Sequence, residues 1–201
     1  MSLDVNSPDK WEADYRGHTD GWDLGGPASV LRRLAEGGLF QPGKMLVPCA
    51  GRGHDAREFA RHGFQVTAVD FAESAVREMR RLAEVDAPVE IVQHDMFAMS
   101  HLLDGTFDYV LEYTCFCAID PRRRAEYADL VRRLLKPRGL FIDLAFPLGR
   151  RPGGPPFAVS EAELLGLFQE RGFKLLSSEI PNDSAPQRRG AEELFILQKT
   201  N

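Results

Sequence analysis

Between residues 44 and 146 the chain alternates short apolar runs with amphipathic ones, and few folds tolerate that rhythm. "KMLVP" (44–48) predicts a buried strand and "HDAREFARHG" (54–63) a helix closed by Gly63. Next come a strand at 64–70, an amphipathic helix at 73–85, and strands at 89–95 and 107–113. A helix is expected over 121–139, with Pro121 at its start and Pro-Arg-Gly at its end, and then a strand over 140–146. A helix at 160–172 opens on Ser160 and Glu163, a capping-box spacing, and stops at Gly172. Strand–helix alternation implies a doubly wound, mostly parallel α/β sheet. The last two strand-like runs, 173–180 and 192–199, are joined only by a loop, which predicts an antiparallel C-terminal strand, because a parallel return needs a longer crossover. The expectation is one seven-stranded, Rossmann-like sheet within a single domain, 1–201.

Composition fits that fold and narrows the partners. With 201 residues, 43% hydrophobic and 27% charged, the chain can bury a substantial core. A net charge of -5 offers no general attraction to nucleic acid or to an anionic membrane. The short basic clusters, among them Arg122-Arg123-Arg124 and Arg188-Arg189, read as solvated surface. Three cysteines without a Cys-x-x-Cys pair, and five histidines without ligand spacing, argue against a disulfide framework or a metal site. No signal peptide or long apolar run is present, so a cytoplasmic protein is expected.

The chemistry concentrates at the strand ends. In such sheets ligands bind beyond the carboxyl ends of the strands. The loop Cys49-Ala50-Gly51-Arg52-Gly53 leaves the first strand and enters a helix, so it serves either as a tight turn for packing or as bare backbone against a ligand. Asp70 closes the second strand, where a carboxylate can accept both ribose hydroxyl protons. Asp55 in the first helical turn suits the helix dipole but would repel a pyrophosphate, which favours a nucleoside without phosphate over a dinucleotide. Asp95 and Met96 stand at the tip of the third strand, suited to an adenine amino group and ring face. Asp95 could equally cap the turn that follows.

"KWEADY", "GWDLGGP", "LVPCAGRGHD", "VTAVDFAESAV", "DYVLEYTCFCAIDP" and "FPLGRRPGGPPFAVS" together resemble the class I S-adenosylmethionine-dependent methyltransferases. The resemblance is closest to the thiopurine methyltransferase superfamily in its halide/thiol methyltransferase branch, and it runs from Trp11 to the last strand. It implies an N-terminal segment, 1–25, that covers the cofactor with aromatics in the pattern W-x3-W-x6-W-D. Here those positions are Trp11, Tyr15, Trp22 and Asp23, with tyrosine in the middle; the glycine loop also departs, beginning with Cys49. The implied cofactor shell is Trp11, Tyr15, Trp22, Cys49, Gly51, Asp70, Asp95, Met96 and Tyr113. Aromatic faces suit a sulfonium cation, although taken alone the three rings read as core packing.

The acceptor side is expected in "LEYTCFCAIDP", with Tyr113 and Phe116 as the residues touching the reaction. Tyr113, Cys115, Phe116 and Cys117 are apolar or soft, and an anionic nucleophile needs alignment and desolvation more than a general base. The implied reaction moves a methyl group from S-adenosyl-L-methionine, leaving S-adenosyl-L-homocysteine, to a small sulfur, selenium or halide nucleophile. A larger thiol such as a thiopurine is the alternative acceptor. An NAD-binding oxidoreductase and a non-catalytic nucleoside-binding module are the readings outside methyl transfer. The expected partner is a small molecule, with no nucleic acid and no membrane, and the protein is expected to be a monomer. No metal is expected.

Overall fold

A computed structural model describes residues 4–83, 87–149 and 151–201. Its seven strands are β1 (Lys44–Pro48), β2 (Gln65–Asp70), β3 (Val89–Gln93), β4 (Phe107–Tyr113), β5 (Leu135–Ala145), β6 (Phe173–Glu179) and β7 (Glu193–Lys199). They follow the order β3-β2-β1-β4-β5-β7-β6. The chain groups into two compact units, divided after Ala98.

In the first unit, β1 pairs parallel with β2, and β2 with β3. Helices α1 (Pro8–Gly17), α2 (Ser29–Glu36), α3 (His54–Arg61) and α4 (Glu73–Arg81) accompany these strands. The strand cores are Met45, Leu46 and Val47 on β1 and Val66, Ala68 and Val69 on β2, all buried. Helix α1 lies in the N-terminal segment. Ser7 accepts a hydrogen bond from Asp9 N at its start, and His18, in a left-handed conformation (φ 52), ends it. Helix α2 has no side-chain cap of its own. Asp55, in the first turn of α3, accepts from Ala28 N at 2.8 Å and fills that role. The expected helix over 73–85 ends at Arg81, and residues 84–86 lie outside the described chain.

In the second unit, β4 pairs parallel with β5, while β7 pairs antiparallel with both β5 and β6. The antiparallel ending read from the sequence is therefore present. One boundary needs correction. The helix expected over 121–139 is a 3-10 turn (Pro121–Arg123) followed by α5 (Arg124–Leu134), and β5 already begins at Leu135. Leu135 pairs with Phe107, the register shifts before Tyr109, and Arg138 adopts φ 65. A Cβ on Gly139 would lie 3.0 Å from Leu135 Cδ2 and 3.2 Å from Asp108 O. Pro-Arg-Gly is therefore a crowded kink within a strand, not a helix stop. Helix α6 (Glu161–Gln169) starts where expected, with Ser160 accepting from Glu163 N at 3.2 Å. The Glu163 side chain bonds to Arg124 at 2.7 Å.

An aromatic file holds this unit together. Phe116, Tyr127, Phe141, Phe168 and Phe173 follow one another at centroid spacings of 5.9, 6.4, 4.4 and 5.2 Å. Each such contact adds about 0.5–1.5 kcal/mol beyond area burial. Among the described residues no helix is long and apolar enough to cross a membrane.

Candidate active site

The glycine loop of the first unit is shaped by three left-handed residues, Cys49 (φ 47), Gly51 (φ 56) and Gly53 (φ 69). The two glycines serve different ends. A Cβ on Gly53 would sit 2.6 Å from Met79 Cγ, so Gly53 is there for packing against α4. A Cβ on Gly51 would come within 3.3 Å of the Tyr15 hydroxyl oxygen. Gly51 N donates to Asp70 Oδ2 at 2.9 Å, and Asp70 Oδ1 accepts from Ala72 N at 2.9 Å. Asp70 is thus tied to the loop by backbone. Burial pushes its pKa up to about 6, against the hydrogen bonds from Ala72, Gly51 and Phe71.

The N-terminal aromatics converge on this loop. Trp22 packs edge-on against Trp11 and Tyr15, both at 5.5 Å between centroids. Tyr15 is buried together with Ala72 and Ala75, and Trp11, Trp22 and Phe71 pack against them. Burial, and then the charge of Asp70, raise the Tyr15 pKa well above its ordinary value. Polar contacts hold the segment down as well. Glu12 accepts from Ser74 N at 2.6 Å and Ser74 Oγ at 2.7 Å, capping α4 from α1. Arg52, in the middle of the glycine loop, forms ion pairs with Asp20 (2.5 Å) and Asp23. His54 Nε2 also approaches Asp23 Oδ1, at 3.3 Å. Arg57 has only donors to offer His54 Nδ1 at 2.9 Å, so the neutral ring carries its proton on Nε2, toward Asp23. Burial opposes ionisation of Asp23, but hydrogen bonds from His54 and Gly25 N, with the Arg52 charge, outweigh it and hold its pKa below the usual carboxylate range.

The remaining expected residues separate. Cys49 Sγ lies 3.7 Å from the sulfur of Met96, which is buried. Asp95 is exposed, and its Oδ1 accepts from Phe97 N at 2.9 Å, so it does cap the turn.

The second unit holds the residues expected on the acceptor side. Tyr113 ends β4, and Thr114 follows it in a left-handed conformation (φ 63). That geometry costs a β-branched residue about 1–2 kcal/mol. It turns Cys115 N and Phe116 N back onto Glu112 Oε1, at 2.6 and 2.7 Å. Glu112 faces Asp143 across the β4–β5 ladder, and both are buried. Burial, and then the Glu112 charge, hold the Asp143 pKa well above its ordinary value. The Tyr113 hydroxyl donates to Glu192 Oε1 at 2.6 Å. Arg188 stacks over the rings of Tyr113 and Phe146 at 4.9 and 4.5 Å. Cys115 and Cys117 are buried, and burial followed by the charge of Glu112 raises the Cys117 thiol well above its usual range. An un-ionised buried thiol is a poor nucleophile.

Comparison with known proteins gives this arrangement a family. The thiopurine S-methyltransferase family model matches residues 6–199. The chain belongs to that family. It is 32% identical to "Probable thiol methyltransferase 2" of Arabidopsis thaliana over 99% of this chain and 88% of that protein. It is also 32% identical to thiocyanate methyltransferase 1 of the same plant, over 95% of this chain and 85% of the relative. Among solved structures, Burkholderia thailandensis 1,6-didemethyltoxoflavin-N1-methyltransferase, with S-adenosylhomocysteine bound, superposes with a TM-score of 0.75 at 23% identity. That match covers 96% of this chain and 87% of the other, and it supports the fold.

For this methyltransferase, the first-unit residues fit a sulfonium nucleoside. The glycine cradle at Gly51, the buried Asp70 carboxylate and the adjoining aromatic rings supply clearance, acceptor and cation-attracting faces. Sequence reasoning missed the buried polar groups of the second unit: Glu112, Asp143, Arg124, Arg188 and Glu192. Arg124 and Arg188 correct the reading of their clusters as solvated surface, since each is only 3% exposed. The signal available was aromatic. Arg124 stacks on Phe116 at 4.6 Å, and guanidinium planes are buried on such rings.

Proposed function

We propose that the protein transfers a methyl group to a small thiol, thiocyanate or a related sulfur, selenium or halide nucleophile. It is a methyltransferase that uses S-adenosyl-L-methionine, and the cofactor supplies an electrophilic methyl group on a sulfonium. The observation that carries the acceptor class is the near full-length similarity to proteins named for thiol and thiocyanate methylation. The buried, apolar loop of Cys115, Phe116 and Cys117 supports it, since such a lining desolvates a small soft nucleophile.

In this reading Trp11, Tyr15, Trp22, Cys49, Gly51, Asp70, Asp95 and Met96 hold the cofactor. Asp70 accepts from the ribose hydroxyls while its bonds to Gly51 N and Ala72 N keep it aimed. Tyr113 and Phe116 serve the acceptor, and Tyr113 also belongs to the cofactor shell. Residues 1–25 cover the cofactor, and 1–201 works as one methyltransferase domain, as the family match across both units supports. The protein acts as a cytoplasmic monomer.

Methyl transfer from labelled S-adenosylmethionine, screened against iodide, hydrosulfide, thiocyanate, selenite and aryl thiols, tests the acceptor class. Turnover with thiocyanate, hydrosulfide or iodide is expected. Turnover with a thiopurine alone would replace this reading with that of a larger thiol.

A further inference from the structure

The segment Pro181–Glu192, "PNDSAPQRRGAE", is dense in turn-forming residues, yet it delivers two buried charged side chains. Arg188 N donates to Ala185 O at 2.8 Å and Ala191 N donates to Arg188 O at 2.9 Å, with Gly190 left-handed at φ 76 between them. This compact turn sets Arg188 and Glu192 four residues apart, with Nη1 3.9 Å from Oε1. Glu192 is 1% exposed. Its Oε1 receives the Tyr113 hydroxyl at 2.6 Å, a short charge-assisted contact.

A phenol has one proton. Because Tyr113 gives that proton to Glu192, its oxygen presents lone pairs, not a donor, to any other ligand. Lone pairs accept an S–H. A carboxylate behind the phenol also gives the proton of such a ligand somewhere to go. Halide and thiocyanate carry no proton to lose, whereas a neutral thiol must shed one as it is methylated.

We propose that Glu192 is the positioning residue that turns Tyr113 into a proton acceptor, so that the site takes a small thiol in its un-ionised form. This deepens, and rests on, the thiol reading of the function given above. As the acceptor sulfur bonds to the methyl carbon, the departing thioether sulfur keeps the electron pair of the broken carbon–sulfur bond. The acceptor's S–H proton passes to the Tyr113 oxygen, and the former Tyr113 proton passes to Glu192 Oε1, which later returns it to solvent.

The test compares a small alkanethiol, un-ionised at pH 7, with thiocyanate, in the wild type, Glu192→Gln, Glu192→Asp and Tyr113→Phe. Glu192→Gln is expected to lower the ratio of thiol to thiocyanate turnover at least tenfold, with Tyr113→Phe doing the same and Glu192→Asp restoring part of it. Wild-type thiol turnover should be flat from pH 6 to 8. In Glu192→Gln it should climb with the thiolate fraction, about tenfold per pH unit below the thiol pKa. A readout apart from turnover is calorimetric thiol binding to the S-adenosylhomocysteine complex in buffers of different ionisation enthalpy. The wild type should release no proton, and Glu192→Gln should release one per thiol bound. Equal losses with both acceptors, or an unaltered pH profile and proton count, would overturn the proposal. A wild type that binds S-adenosylhomocysteine but methylates neither acceptor would overturn the acceptor class itself, and this proposal with it.

Discussion

The two units differ in one respect: among the described residues, only the second sets two buried acids face to face, Glu112 and Asp143. In the first, the carboxylates around the glycine loop are met by donors: Asp70 by Gly51 N and Ala72 N, Glu12 by Ser74, and Asp23 by Arg52, His54 and Gly25 N. In the second, Glu112 and Asp143 face one another across the β4–β5 ladder, and burial beside the Glu112 charge raises the Asp143 pKa. The first arrangement keeps acceptors aimed at a polar ligand. The second fixes the backbone of the turn at Cys115 and Phe116.

The largest expected effect is on ligand recognition in the first unit. Asp70→Ala should weaken S-adenosylhomocysteine binding about 100-fold or more, since two charge-assisted hydrogen bonds are lost at roughly 1.5–3 kcal/mol each. Isothermal titration of a variant with unaltered circular dichroism checks this, and an affinity within threefold of wild type would remove the ribose role. The ionised carboxylate is the better acceptor. With its pKa raised to about 6, affinity should hold above that pH and fall below it as Asp70 takes a proton. An affinity constant from pH 5 to 7 would contradict the assignment.

The next effect belongs to the second unit and should appear as stability. Glu112→Ala leaves Cys115 N and Phe116 N buried without their acceptor, a loss of about 3 kcal/mol. Urea denaturation measures it, and a loss under 1 kcal/mol would show that the turn does not depend on the carboxylate. Glu12→Ala should cost about 1 kcal/mol by uncapping α4. It should also speed hydrogen exchange over residues 8–17, and unchanged exchange there would mean that the aromatics alone hold α1.

The smallest effect tests the facing pair. The folded pKa of Asp143 is raised above its unfolded value, so the folded state holds more protons. The penalty is absent below the unfolded pKa and grows as pH rises through it toward the folded one. Asp143→Asn should therefore be relatively more stable at pH 8 than at pH 4 when each is compared with wild type. Parallel stability curves for the two proteins would show that the pair carries no such linkage.

The sequence carried the local part of this picture. Strands β1, β2 and β4 declared themselves through apolar runs, and the loop-only connection before β7 declared its direction. The candidate residues at strand ends were chosen from topology, and Asp70 does lie against the glycine loop. Long-range pairings were illegible. Glu192 meets Tyr113 across 79 residues of chain, and nothing in "RRGAEE" distinguishes a buried arginine from a solvated one. The early start of β5 was hidden because Leu135 continues the apolar period of α5. Helix α1 went unread because its anchors, Glu12 to Ser74 and the Trp11–Trp22–Tyr15 cluster, lie far along the chain or between elements.

Arg52 carries a consequence for life among competitors. A cell is crowded with phosphorylated nucleotides whose adenosine half matches that of a sulfonium nucleoside, and a glycine loop at a helix entrance is where such phosphates settle. The one cation in this loop is already neutralised by Asp20 and Asp23, and Asp55 stands in the first helical turn with its carboxylate on Ala28 N. An arriving triphosphate would meet acids and a guanidinium with no charge to spare. The ion pairs that fasten the N-terminal segment thus leave the glycine loop without a spare positive charge to offer a phosphate.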